Sequence, residues 1–146
     1  TEFIPLPYVS MESPMYKRGN SRPGPTFNEV LLMHAVSRIA LNPHIKNIQA
    51  SWVKLGKEGA LSCLNAGVND MGGTLMNESI SRAAGSVHGQ EFEATRMEEF
   101  IRNSERRPQL RNTIYEPIQS RINSEISYDL SMTYMQTFLD SAHPVL

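Results

Sequence analysis

"NIQASWVKLGKEGALSCLNAGVNDMGGTL", residues 47 to 75, decides how this chain folds. Its opening, NIQASWV (47 to 53), places Ile48, Ala50 and Trp52 on one face and Gln49 and Ser51 on the other. That alternation is the period of a β-strand. GKEGALSCLNAG then reads as a short helix, with Leu61 and Leu64 three apart and Gly67 as its C-terminal stop. VNDMGGTL returns to a strand and ends in a turn built on two adjacent glycines. Strand, helix and strand in one span predict a parallel βαβ unit with a right-handed crossover.

The flanks continue the alternation. Upstream, EFIPLPYV (2 to 9) reads as a strand that runs into a rigid loop, because Pro5 and Pro7 cannot donate to a sheet ladder. A polar loop leads to Thr26 and Glu29, a T-x-x-E capping box, and then to VLLMHAVSRIAL. Leu32, Val36, Ile39 and Ala40 keep helical spacing there, and Pro43 predicts a stop near Asn42. Downstream, a polar helix start spans Asn77 to Ala84. EFEATRMEEFIRNSE follows as a helix with Met97, Phe100 and Ile101 on its apolar face and Phe92 packing before it. The order β-loop-α-β-α-β-α-α predicts an α/β fold.

Composition narrows the function classes. The chain has 146 residues, 40% hydrophobic and 20% charged, with formal net charge −1, as ordinary globular domains do. A nucleic-acid interface has no basic excess to support it. No apolar run approaches the roughly 20 residues of a membrane span, and no signal peptide is visible. Cys63 is the only cysteine, which excludes an internal disulfide and fits a reducing, cytoplasmic compartment. No His, Asp and Glu set has zinc-ligand spacing. The long polar connections, 10 to 25 and 69 to 90, follow strands, whereas the returns NPHIK and AG are short. Ligands in parallel α/β folds bind at the carboxyl ends of the strands, so a site is expected on those long loops.

Several blocks carry a resemblance: TEFIPLPYVSMESPMY, RPGPTFNEVLLMHAVSRIAL, NIQASWVKLG, AGVNDMGGTLMNESISRAAGSVHGQE and RRPQLRNTIY. Together they resemble the C-terminal part of the FO synthase family, in the half or subunit that handles tyrosine. The related menaquinone-pathway radical enzymes share a similar ND-GGT stretch. The resemblance covers about residues 1 to 115. It implies the last three β/α units of a TIM-type (β/α) barrel. The implied enzyme is a radical S-adenosylmethionine transferase of deazaflavin biosynthesis. It would join a 4-hydroxybenzyl unit from tyrosine to 5-amino-6-ribitylamino-uracil. The implied cofactors are S-adenosylmethionine and a [4Fe-4S] cluster on a CxxxCxxC loop. That loop is absent from this sequence, so the cluster would be held by a missing N-terminal barrel half or a partner subunit. The chain alone is then expected to be inactive. The alternative is a non-catalytic binding module, or a degenerate homologue that kept only the late strands.

The resemblance also weights the candidate site residues. Asn69 and Asp70 end a strand and would bind hydroxyls of the ribityl chain or of S-adenosylmethionine; the other reading is an Asx turn. Gly72 and Gly73 permit close approach of a ligand or a strained turn. Thr74, Asn77, Glu78 and Ser79 would face substrate, or cap the following helix. Glu78 is the carboxylate suited to an amino group. Ser51 near a strand end and Glu12 beyond the first strand complete the set, while Trp52 and His34 read as packing. His88 would face ligand or solvent. Arg106, Arg107 and Arg111 read as a solvated face or as a closure of the barrel. Residues 116 to 146 form a separate region, a helical tail with an apolar stripe from Ile118 through Ile122, Ile126, Leu130 and Tyr134 to Phe138.

Overall fold

The computed structural model describes residues 1–75, 77–88 and 91–118. The stripe that the sequence places on the tail falls outside the described residues apart from Ile118. In chain order the elements are β1 (Glu2–Phe3), α1 (Pro14–Lys17), α2 (Phe27–Leu41), β2 (Asn47–Ile48), α3 (Trp52–Asn65), α4 (Ile80–Ala83) and α5 (Ala94–Asn103).

β1 and β2 pair in parallel, with Glu2 opposite Asn47 and Phe3 opposite Ile48. The Gln49 N–H reaches the Phe3 carbonyl at 3.0 Å. A third extended segment lies beside β2, also parallel. There Asn69 N–H donates to the Ile48 carbonyl at 3.1 Å and Ala50 N–H to the Asp70 carbonyl at 2.9 Å. Three parallel segments thus stand side by side in chain order, each pair joined through a helix.

The strands are shorter than their sequence pattern predicts. Trp52 and Val53 belong to α3, because Ser51 takes the N-cap position and its carbonyl accepts the Lys54 and Leu55 N–H groups, each at 3.0 Å. The third segment ends at Asp70, whose own side chain captures the Gly72 N–H and turns the chain. The 10 to 25 loop holds one helical turn, α1, and the predicted 77 to 84 helix is confined to α4.

The helices start and stop where their end residues dictate. At the head of α2 the Glu29 N–H donates to Thr26 Oγ1 at 3.3 Å and the Thr26 N–H to Glu29 at 2.6 Å, a complete capping box. α2 ends at Leu41, with Asn42 as its extended C-cap before Pro43. α3 ends at Asn65, and Gly67 beyond it has φ 105°, the left-handed geometry that a glycine stop supplies. Within α3, Gly56 is non-helical and kinks the helix.

The core lies where α2, α3 and α5 meet the sheet. Ile48, Ala50, Val68 and Met71 from the extended segments pack with Ala60, Cys63 and Leu64 of α3 and with Met97 and Ile101 of α5. Phe92, buried, meets Trp52 edge-to-face at 5.4 Å and Phe100 at 5.9 Å. Such aromatic pairs contribute about 0.5–1.5 kcal/mol each beyond their area. Arg38 of α2 ties the layers together. It donates to the carbonyls of Gly67 (2.6 Å) and Lys46 (2.8 Å) and to Asn69 Oδ1 (2.7 Å).

One face differs from its sequence reading. α2 buries Val30, His34 and Ser37, and leaves Leu32, Val36 and Ile39 exposed at 64, 50 and 80%. Helical spacing marks a stripe but not the side of the helix on which a neighbour stands. The capping box yields a test of local stability. Thr26→Ala should lower the unfolding free energy by about 1 kcal/mol in urea titration, with Thr26→Ser near neutral. Equal midpoints for all three would remove the cap from the account.

Candidate functional site

Asp70 closes the third parallel segment and is fully buried. Its Oδ1 accepts the Gly72 N–H at 2.6 Å and its Oδ2 accepts the Arg111 Nε–H. Burial pushes this carboxyl up from its ordinary value, against the Arg111 and Gly72 bonds that favour its anion. Burial alone would lower the Arg111 guanidinium, but the hydrogen bond and charge of Asp70, with Glu2, hold it above its ordinary value. Arg111 also lies 3.6 Å from Glu2 Oε2 and stacks 4.5 Å from the centre of the Tyr115 ring. Burial, then the hydrogen bond and charge of Glu2, push the Tyr115 phenol up to about 12.

The glycine pair follows at once. Gly72 has φ 75°, and a Cβ there would stand 2.5 Å from Gln49 Nε2. Gly73 is different: among the described residues a Cβ would meet nothing within 4 Å, and its carbonyl accepts the Trp52 Nε1–H at 3.2 Å. Gly72, Gly73, Thr74, Ala94, Leu110 and Arg111 line a cleft of about 170 Å³. It offers a ligand exposed backbone and the Thr74 hydroxyl, while Arg111, engaged with Asp70, Glu2 and the Asn112 carbonyl, forms part of its wall.

A second cleft, about 520 Å³, opens among the loop after β1, the head of α2, the first turn of α3 and residues 86 to 88. Tyr8, Ser10, Lys54 and His88 supply its polar groups and Phe27 and Leu55 apolar wall. The size suits a small ligand. His88 rests against the α3 kink, where a Cβ on Gly56 would fall 2.7 Å from its Nδ1. The loops after the first and third segments meet here, since Glu12 N–H donates to the Ala84 carbonyl at 3.2 Å.

The predicted site residues divide among these places. Gly72, Gly73 and Thr74 share the smaller cleft. Asp70 lies beneath it and makes the Asx turn. Asn69 Oδ1 is bonded to the Ile48 N–H (2.9 Å) as well as to Arg38, which ties strand to helix. Glu78 accepts the Ser81 N–H at 3.0 and 3.1 Å, a cap on α4, and Ser79 stands at the N-cap. Asn77 is exposed nearby. Ser51 heads α3, and Glu12 pairs with Lys17 at the surface. Sequence reasoning left Arg111 between a solvated face and a closure of the barrel, without its partner Asp70, and passed over Lys54 and Tyr8. An Asp at a strand end, buried by the apolar residues around it, was the signal that a cation had to come from elsewhere.

The architecture is that of consecutive parallel β/α units with clefts at the carboxyl ends of their strands. The chain belongs to the CofH/MqnC C-terminal region family, whose match covers residues 1–124. It is 49% identical over 119 residues to the 5-amino-6-(D-ribitylamino)uracil–L-tyrosine 4-hydroxyphenyl transferase of Methanopyrus kandleri, covering 82% of this chain and 32% of that protein. It is 44% identical to the transferase of the same name in Methanocaldococcus jannaschii, covering 82% of this chain and 33% of that one. An FO synthase of Streptomyces coelicolor is 45% identical, with 81% of this chain and 14% of that protein covered. The chain therefore spans a third or less of the length of these relatives.

The cluster that the resemblance implies does not fit the residues of this chain. A [4Fe-4S] cluster takes cysteine thiolates, and the sequence has one cysteine. Cys63 is fully buried in the core, 3.7 Å from His34 Nδ1, and burial pushes its thiol up to about 11. Among the described residues no group of His, Cys, Asp and Glu could hold a metal ion. The thiol is an acid whose folded value is raised, so the folded state keeps its proton where the unfolded state loses it. Stability is therefore unaffected by Cys63 below pH about 9 and falls as pH rises from 9 toward 11. The thiol raised to about 11 by burial predicts native alkylation by iodoacetamide at pH 8 about a hundredfold slower than in denaturant. Equal rates in the two states would contradict a buried neutral thiol.

Proposed function

We propose that this chain is the C-terminal part of a radical S-adenosylmethionine transferase of deazaflavin biosynthesis. The complete enzyme joins a tyrosine-derived 4-hydroxybenzyl unit to 5-amino-6-ribitylamino-uracil in the cytoplasm. The chain supplies the last three β/α units of its TIM-type barrel. The observation that carries this reading is the 49% identity, over most of the chain, to a relative named for that transfer. The three parallel segments in chain order, each pair joined through a helix, support the barrel placement.

In this reading S-adenosylmethionine and a [4Fe-4S] cluster supply the radical chemistry from residues outside this chain. What this chain contributes is a binding surface. Gly73 presents bare backbone to a planar or polyol ligand, and the Trp52 indole holds its carbonyl in place. Thr74 offers a hydroxyl, and Arg111, held by Asp70 and by the Asn112 carbonyl at 3.2 Å, fixes the wall behind it. The larger cleft adds Lys54 and His88 at the same end of the strands. Glu12, Ser51, Asn77, Glu78 and Ser79 stand on the segments that follow the three extended strands, outside the linings of the two clefts.

The test uses the complete protein, with tyrosine and 5-amino-6-ribitylamino-uracil as substrates. Gly73→Ala should lower turnover tenfold or more, about 1.4 kcal/mol of transition-state stabilisation. Its melting temperature should stay within about 2 °C, because the added Cβ meets no atom within 4 Å among the described residues. The isolated chain, given iron, sulfide, dithionite and S-adenosylmethionine, should form no 5′-deoxyadenosine. Failure of the complete protein to turn over these substrates would overturn the reading. Normal turnover in Gly73→Ala would move the site away from the glycine pair.

A further inference from the structure

The larger cleft, about 520 Å³, holds positive groups that the chain itself does not neutralise. Lys54, from the first turn of α3, and His88, beyond α4, both line it. Lys54 is half-buried and His88 is exposed. Among the described residues no hydrogen bond or ion pair engages the Lys54 ammonium or the His88 ring, and none of the lining residues is acidic. Lys17 and Arg22, on the same loop region, each face a carboxylate instead. An ammonium partly withdrawn from water and left without a counter-ion attracts an anion more strongly than one in bulk solvent.

The backbone beside His88 is one that only glycine supports. Gly56 has φ 71° and ψ 173° inside α3. A Cβ there would fall 2.7 Å from His88 Nδ1 and 3.0 Å from its Cε1. The kink therefore interrupts α3 after its first turn and opens the space that the imidazole occupies, at the rim of a cleft. The remaining walls are mostly apolar. Phe27 and Leu55 supply side chains, and Tyr8 has its hydroxyl bonded to Ser13 and Ser21, so its ring is what it adds to the lining. A positive end, an apolar wall and no acid suit an anion carried on an apolar body.

We propose that this cleft is the subsite for the aromatic amino acid, L-tyrosine in the reading above, on which the proposal rests. Lys54 Nζ and the His88 ring hold its carboxylate, and its ring lies against Phe27 and Leu55. A charge-assisted bond from an ammonium to a carboxylate is among the stronger contacts a small ligand makes. The chemistry of the three ligands in that reading selects among them. 5-Amino-6-ribitylamino-uracil has no carboxylate for Lys54 to meet. S-adenosylmethionine has one, but its sulfonium brings a further positive charge into a cleft without an acid. Tyrosine alone joins a carboxylate to a flat ring with no second cation beyond its own ammonium. The smaller cleft, with its bare backbone and the Thr74 hydroxyl, is then left for a polyol. Gly56 acts as a positioning residue, through the place it leaves for His88.

The experiment reads binding rather than turnover, so that its failure is distinct from failure of the proposed activity. Labelled L-tyrosine is dialysed to equilibrium against the complete protein, with tyramine, which lacks the carboxylate, as a second probe. Lys54→Met should weaken tyrosine by about tenfold or more and leave tyramine within about twofold, because only tyrosine carries the partner charge. Lys54→Arg, which keeps the charge, should recover most of the loss. His88→Asn and Gly56→Ala should each weaken tyrosine by about threefold or more; if Gly56→Ala yields no folded protein, His88→Asn decides. Tyrosine affinity within about twofold of the parent in Lys54→Met would overturn the proposal, and so would an equal loss for tyramine, the mark of a merely structural lysine. A loss confined to S-adenosylmethionine or to 5-amino-6-ribitylamino-uracil, dialysed in the same way, would overturn it in favour of that ligand. A complete protein that binds tyrosine as expected and forms no product supports the subsite and overturns the activity alone.

Discussion

The buried pairing of Asp70 with Arg111 is the constraint on which the site depends. A carboxylate at the end of an extended segment, with no solvent access, is costly unless both oxygens are bonded. One oxygen turns the chain through the Gly72 N–H, and that turn presents Gly73 and Thr74 to the cleft. The other fixes Arg111, and with it the segment that carries Leu110 and Tyr115 across the strand ends. Removing Arg111 would leave a carboxylate buried with half of its partners. Removing Asp70 would free both the turn and the segment. The cleft is thus shaped by the same two bonds that satisfy the charge.

How far this was legible in the sequence varied with the range of the interaction. Local signals read well. Thr26 with Glu29, Pro43, Gly67 and the Met97–Ile101 stripe each act within one or two turns, and each stands where its spacing put it. Strand lengths read poorly. Ser51 is a helix cap as readily as a strand residue, and nothing local says that the first turn of α3 claims Trp52. Arg111 was out of reach for a different reason. It meets Asp70 across 41 residues, and nothing local decides whether Arg106, Arg107 and Arg111 are a solvated face or a structural closure. The resemblance to the FO synthase family pointed to the right region, and the family match over residues 1–124 bears it out.

The exposed face of α2 belongs to the same lesson. Leu32, Val36 and Ile39 announce a buried stripe, and the described residues leave it bare. The sequence pattern reports the environment for which the helix was selected. Within the 146 residues, the neighbour that would supply that environment is not among the described elements. A conflict between periodicity and burial is itself information about what a chain packs against.

The most direct measurement is a double-mutant cycle on Asp70→Asn and Arg111→Met in the complete protein, read by denaturant unfolding. Arg111→Met should cost about 3 kcal/mol, because it strands a buried carboxylate. The double variant should cost at least about 1 kcal/mol less than the sum of the two single changes, the signature of a direct pair. Additive losses, within about 0.5 kcal/mol, would show that the two residues act independently, and the cleft would need another explanation.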